Sequence, residues 1–331
     1  MSSRSYRWLK VTDQAAFPPR DGAGALVYKD KMWLIGGWNP NDKITNPIHS
    51  NCNNEVWNST DGKTWSLVKP NTHLDGNFDP TSDWEARHTA GYVVHQNLMW
   101  IIGGDPLLGH YQSDVWNSSD GRTWTLVNPG KPVPWAPRCL HYTLVHEGKI
   151  WVMGGQPFTS YLKQHVPYWE LPLSETHYND VWNSSDGLNW IRATEHAPWA
   201  PRGQIGGSAV LNGRMWILGG GTYYKDYYSD VWSSSDGVHW KNHLEKAPWR
   251  PRQYHDLAVF DDMLWVMEGI CQPGGNGNDV WFSADGEHWE EVPDTPWAER
   301  HAASVFVYQN ALWMVAGNHM GRDVWKLERA S

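Results

Sequence analysis

The feature that most constrains this chain is a phrase that it repeats. Asp-Val-Trp-Asn-Ser-Ser-Asp-Gly-x-x-Trp runs from Asp114 to Trp124, close relatives start at Glu55, Asp180, Asp230 and Asp279, and a partial copy stands at Asp323–Trp325. Ahead of each copy lies an apolar run closed by glycine: Gly36-Gly37, Gly103-Gly104, Gly154-Gly155, Gly219-Gly220, and the variants Glu268-Gly269 and Ala316-Gly317. Ahead of that an aromatic residue stands three places before an arginine, at Arg20, Arg87, Arg138, Arg202, Arg252 and Arg300. The three signals keep their order six times, at a period of about 45–65 residues, the size of a unit that must stack on its own copies to bury its apolar face.

Each unit reads as four strands. The first follows the arginine, as in His88–Val94, and a short turn such as Asn212-Gly213 leads to the second, as in Met215–Leu218. The third carries Asp-Val-Trp, and an Asp-Gly pair supplies the turn into the fourth. The sixth unit lacks a fourth strand after Trp325, and Tyr6–Val11 matches the fourth-strand segment Lys63–Val68. The expectation is an all-β, six-bladed β-propeller of four-stranded antiparallel blades, one domain over 1–331, its ring closed by the N-terminal strand. Of the 25 tryptophans, 23 fall at repeat positions and are read as packing residues; Trp38 and Trp169 do not.

The order of arginine, double glycine and downstream tryptophan resembles the kelch repeat, and the resemblance covers essentially the whole chain. Glu268 and Ala316 depart from it in place of the first glycine. The Ser59–Trp65 turn is similar to the Asp box of sialidase propellers, a fold feature there and one residue longer.

Composition narrows the partners. A net charge of −9 without a Lys/Arg-rich run argues against nucleic acid and against an anionic membrane. The apolar runs are strand-length, too short to cross a bilayer as helices. Met1–Trp8 has no apolar signal core, and Cys52, Cys139 and Cys271 are scattered; the expectation is a reducing, cytoplasmic setting. Serine-hydrolase, P-loop and dinucleotide signatures are missing.

In a four-stranded meander, the loops before the first strand and after the second share a face. Here those loops vary, with long inserts at 38–54, 69–85 and 156–179, while the opposite turns are short and uniform. Twelve of 16 histidines fall on or near the variable face. The residues just after each arginine converge toward the channel: Asp21, His88, Cys139, His141, Gln204, Tyr254, His255 and His301, with Glu268 beside them. Any one such histidine serves equally well as a hydrogen-bonded packing residue, and the six arginines are read as structural.

Three functions follow from this placement. The first is a small-molecule site for a sugar or small acid at the channel mouth. His88, His141, His255, His301 and Glu268 are its acid–base candidates, and Trp38, Trp169, Tyr254, Gln204 and Asp21 would bind ligand. Resemblance to kelch propellers that include a sialic acid mutarotase implies isomerisation. The second is a protein-interaction surface, the common use of kelch propellers. The third is a mononuclear Cu, Fe or Zn site built from His141, His255 and His301. Arg252–His255 resembles the Arg-x-Tyr-His of galactose-oxidase-type copper enzymes, but Gln204 stands where a cross-linked tyrosine would be needed.

Overall fold

A computed structural model describes residues 5–39, 52–73, 78–107, 110–157, 177–204, 206–222 and 225–330. These residues are all-β and contain no helix. The strands in chain order are β1 (Tyr6–Thr12), β2 (Gly24–Tyr28), β3 (Lys31–Ile35), β4 (Val56–Ser59), β5 (Ser66–Lys69), β6 (Gly91–His95), β7 (Leu98–Leu107), β8 (His110–Ser118) and β9 (Thr125–Leu126). They continue with β10 (Arg138–Cys139), β11 (Tyr142–His146), β12 (Lys149–Pro157), β13 (Tyr178–Ser184), β14 (Ile191–Thr194), β15 (Ser208–Leu211), β16 (Arg214–Leu218), β17 (Val231–Ser234) and β18 (Trp240–Leu244). The last are β19 (Arg252–Gln253), β20 (Asp256–Phe260), β21 (Met263–Met267), β22 (Ile270–Cys271), β23 (Gly275–Asn276), β24 (Val280–Ser283), β25 (Glu290–Val292), β26 (Ser304–Tyr308), β27 (Ala311–Val315) and β28 (Val324–Arg329).

They form seven antiparallel sheets. Six hold one four-stranded run each: β2–β5, β6–β9, β11–β14, β15–β18, β20-β21-β24-β25, and β26-β27-β28-β1. The first strand of every run lies beside the first strands of two others: β2 beside β6 and β26, β11 beside β6 and β15, β20 beside β15 and β26. Six apolar clusters each draw on two neighbouring runs; Leu26, Ile35 and Trp84, for example, meet Met99, Ile101 and Trp116.

The repeated residues make the same contacts each time. Each arginine is buried and meets the acid that opens its third strand at 2.5–2.7 Å. It also donates to the carbonyl at the end of the second strand at 2.8–2.9 Å. The third-strand tryptophan donates its indole N–H to that same acid, as Trp232 does to Asp230 at 2.8 Å. The arginine and the third-strand indole are thereby satisfied inside the protein, whereas Asp279 Oδ1 and the indole N–H groups of Trp84, Trp135, Trp199, Trp249 and Trp297, three places before their arginines, are buried without a hydrogen-bond partner. In the Asp-Gly turns, serine and aspartate side chains accept backbone N–H groups, and the glycine stands at positive φ against a tryptophan of a neighbouring run. A Cβ on Gly237 would lie 2.3 Å from the Trp151 ring.

The N-terminal strand takes the fourth place in the last run. β1 pairs with β28 from Tyr6↔Arg329 to Thr12↔Val324. Trp8 meets Trp297 edge-on at 5.7 Å, as Trp240 meets Trp199 at 5.9 Å. Where the other runs present a glycine turn to a neighbouring tryptophan, Tyr6 lies 4.8 Å from the Trp265 ring and donates its hydroxyl to Asp261 at 2.6 Å.

The first strands start later than the alternation suggests. His88 makes only an isolated bridge to Asp105, and regular pairing begins at Gly91. The cause is Thr89, whose φ of 53° breaks the extended run.

Candidate functional site

That break recurs. The residue two places after each arginine is Gly22, Thr89, Leu140, Gln204, Tyr254 or Ala302, and all but Gln204 have φ between 53° and 59°. Their backbones join head to tail. Thr89 N–H donates to Gly22 O at 3.0 Å, Leu140 to Thr89 at 3.0 Å, Gln204 to Leu140 at 2.7 Å, Ala302 to Tyr254 at 2.8 Å, and Gly22 to Ala302 at 3.0 Å. The sixth link runs from Tyr254 N–H to the Gln204 side-chain Oε1 at 2.8 Å. Leu140, Tyr254, Ala302 and Cys139 fill the middle, with Ile270 packed against them. The six first strands are thus plugged at their variable-loop end. Four non-glycine residues hold a left-handed conformation there, at a cost of about 1 kcal/mol or more each, which the surrounding hydrogen bonds must sustain.

Below the plug lies a cavity of about 190 Å³, walled by all six first-strand segments. Its lining includes Thr89, Tyr92, His141, Thr143, Ser208 and Asp256. The Thr89 and Thr143 hydroxyls, the Tyr92 hydroxyl, both His141 ring nitrogens and Asp256 Oδ2 are buried there without a protein hydrogen-bond partner. Burial keeps His141 neutral down to about 3, with the Arg138 charge assisting, and pushes the Tyr92 hydroxyl up. Asp256 is pushed up to about 7 by burial. Behind it Glu268, fully buried, is raised well above the ordinary carboxyl range by burial and then by Asp256. Each of these two buried carboxyls perturbs the other.

The expected site residues divide around the plug. On the variable-loop side, His88 Nδ1 donates to the Asp105 carbonyl at 3.1 Å and its ring stacks on Trp38 at 6.3 Å. Asp21 pairs with Trp38 through the backbone, and burial pushes its carboxyl up to about 7. His301 Nδ1 lies 2.8 Å from Asn276 Oδ1, and its ring leans on Tyr254 at 5.6 Å. Burial lowers both His88 and His301 to about 4. On the other side His141 reaches the cavity. His255 is wholly buried, held at about 3 chiefly by burial, its ring packed where a Cβ on Gly219 would come within 3.0 Å. Gln204 belongs to the plug itself, its Nε2 donating to the His255 carbonyl at 2.5 Å. Trp169 lies outside the described residues.

Metal binding at His141, His255 and His301 finds no matching arrangement. Among the described residues no three His, Cys, Asp or Glu side chains are grouped to hold an ion, and His255 and His301 are committed to packing and to Asn276. The residues that sequence reasoning missed are Thr89, Tyr92, Thr143, Ser208 and Asp256. All stand within four residues of singled-out positions, and the hydroxyls of Tyr92, Thr143 and Ser208 at one equivalent place in three first strands were the available signal. No family model and no curated protein matched the chain.

Proposed function

We propose that the six four-stranded runs are blades of a six-bladed, kelch-like β-propeller closed by β1, and that the protein binds or isomerises a small polar molecule, such as a sugar or small acid, in the cavity among the first strands. The cyclic adjacency of those strands supports the architecture. One observation carries the function: a cavity of about 190 Å³ whose wall holds several buried polar groups with no protein partner. Such groups cost about 1–3 kcal/mol each unless something hydrogen-bonds them. A ligand rich in hydroxyls, alone or with water, would satisfy them. His141, neutral, is a base candidate, and Asp256 is placed to act as acid. Among the described residues of the variable-loop side, His88 and His301 are already engaged with Asp105, Trp38 and Asn276, which disfavours them as the primary site.

The test is a thermal-shift screen of monosaccharides, polyols and small carboxylic acids, followed by calorimetry on the hits. Thr143→Val removes one cavity hydroxyl and should weaken binding about tenfold, or ~1.4 kcal/mol. His88→Ala should leave affinity unchanged. A hit lost in His88→Ala and indifferent to Thr143→Val would move the site to the loop face.

A further inference from the structure

Every first strand ends on the same pattern: a valine, then the residue that enters the hairpin turn. The valines are Val27, Val94, Val145, Val210, Val259 and Val307. Strand side chains alternate faces, so each valine shares its face with the residue two places earlier. Those earlier residues, Thr143 and Ser208 among them, line the cavity. The intervening residues Leu26, Val93, Leu144 and Phe306 are buried between runs. Val27 and Val307, at 36% and 38% exposure, reach solvent, and the other four are partly exposed. A collar of six valines therefore rims the cavity at the uniform-turn end, while the hydrogen-bonded plug shuts the other.

We infer that the cavity is entered from the uniform-turn face through this valine collar, and that it admits small uncharged molecules in preference to ions. This deepens the proposed ligand site, narrowing it to neutral polar molecules such as sugars over ionised acids, and rests on that reading only for what is bound, not for how the cavity is reached. An apolar collar strips hydration from a solute, and an ion loses far more by that than a neutral polar molecule. Nothing inside compensates an anion, since no lysine or arginine lines the cavity. The hydroxyls and the His141 ring suit a neutral partner that both donates and accepts.

Cysteine accessibility tests this without knowledge of the ligand. Thr143→Cys and, separately, Ser208→Cys place a thiol in the cavity wall; the native cysteines are buried, and the unmodified protein gives the background. Methyl methanethiosulfonate is neutral and 2-sulfonatoethyl methanethiosulfonate is anionic; with either, the thiolate forms a mixed disulfide and methanesulfinate leaves. Relative to their rates on an exposed cysteine, the neutral reagent should label at least tenfold faster than the anionic one. Adding Val27→Trp and Val307→Trp should slow neutral labelling at least tenfold, and Ile270→Trp over the plug should not change it. Labelling indifferent to the collar, slowed by Ile270→Trp, equal for both reagents, or absent from both cysteine variants would overturn the inference. A working route beside an empty ligand screen would instead count against the proposed function alone.

Discussion

Each repeat arginine is a buried cation that serves one acid and two carbonyls, one of them two residues earlier through Nε, and Arg202 shows what depends on it. Its Nη1 and Nη2 meet Asp230 at 2.5 and 2.8 Å, and Nη1 also meets the Gly219 carbonyl at 2.9 Å. Removing one partner of such a pair strands the other away from full hydration. Arg202→Ala should therefore cost about 3–5 kcal/mol, read from the denaturant midpoint at unchanged slope; a loss below ~1 kcal/mol would mean that Asp230, partly exposed, is rehydrated. Glu268 makes a different claim. Its native pKa is raised, so the folded state holds its proton more tightly than the unfolded chain. The stability this confers is full below the ordinary glutamate range and is lost as pH rises toward the native value. Buried His141 and His255 act with the opposite sign, their stabilisation present above about 6.5 and lost as pH falls toward 3. The two effects separate above pH 6.5, where the histidines are neutral in both states. Between pH 6.5 and 9 the melting temperature of Glu268→Gln should decline less than that of the parent, by scanning calorimetry; parallel declines would remove the buried carboxyl from the account.

Turns and strand starts differ in how far they were legible. The Asp-Gly turns announce themselves because glycine is the residue for positive φ, and the structure adds a second reason at those positions. Gly213 and Gly237 have similar φ, 68° and 74°. A Cβ on Gly213 meets nothing within 4 Å, whereas on Gly237 it would strike Trp151 at 2.3 Å. Gly213→Ala should cost only the backbone strain, about 1 kcal/mol, and Gly237→Ala that plus about 1–3 kcal/mol of overpacking. Equal losses in chemical denaturation would show that the tryptophan yields freely. The left-handed residues of the plug carried no such signature. Thr89, Leu140, Tyr254 and Ala302 are not residues that favour positive φ, and they adopt it because neighbouring segments supply hydrogen bonds that no local pattern encodes. The candidate site was misgrouped for that reason: His88 and His301 look adjacent to His141 and His255 in sequence terms, yet the plug separates the pairs.

At the scale of the molecule, the repeat made the strands, their four-membered grouping and the roles of the arginines readable, because each copy checks the others. What it hid was anything that differs between copies, and the cavity is built from such differences: Tyr92, Thr143, Ser208 and Leu257 occupy equivalent places in four runs. The one repeat position filled from the far end of the chain is the fourth strand of the last run, and it tests whether the sheets stand or fall together. β1 supplies Trp8 to Trp297, Tyr6 to Trp265, Phe260 and Phe282, and a full ladder to β28. Deleting residues 1–12 would bare the β28 edge and an aromatic cluster that two neighbouring runs share. If each run depends on both neighbours, that loss propagates, and the truncated chain should melt at least 10 °C lower in a single transition that takes with it the near-ultraviolet signal of the remaining tryptophans. A synthetic peptide of residues 1–12 added in excess should raise the midpoint in proportion to the logarithm of its concentration, since it binds only the folded form. A truncated chain that melts like the parent, or loses only the last run in a separate low-temperature step, would show that the runs are independent and that β1 is an ornament on the edge of one of them.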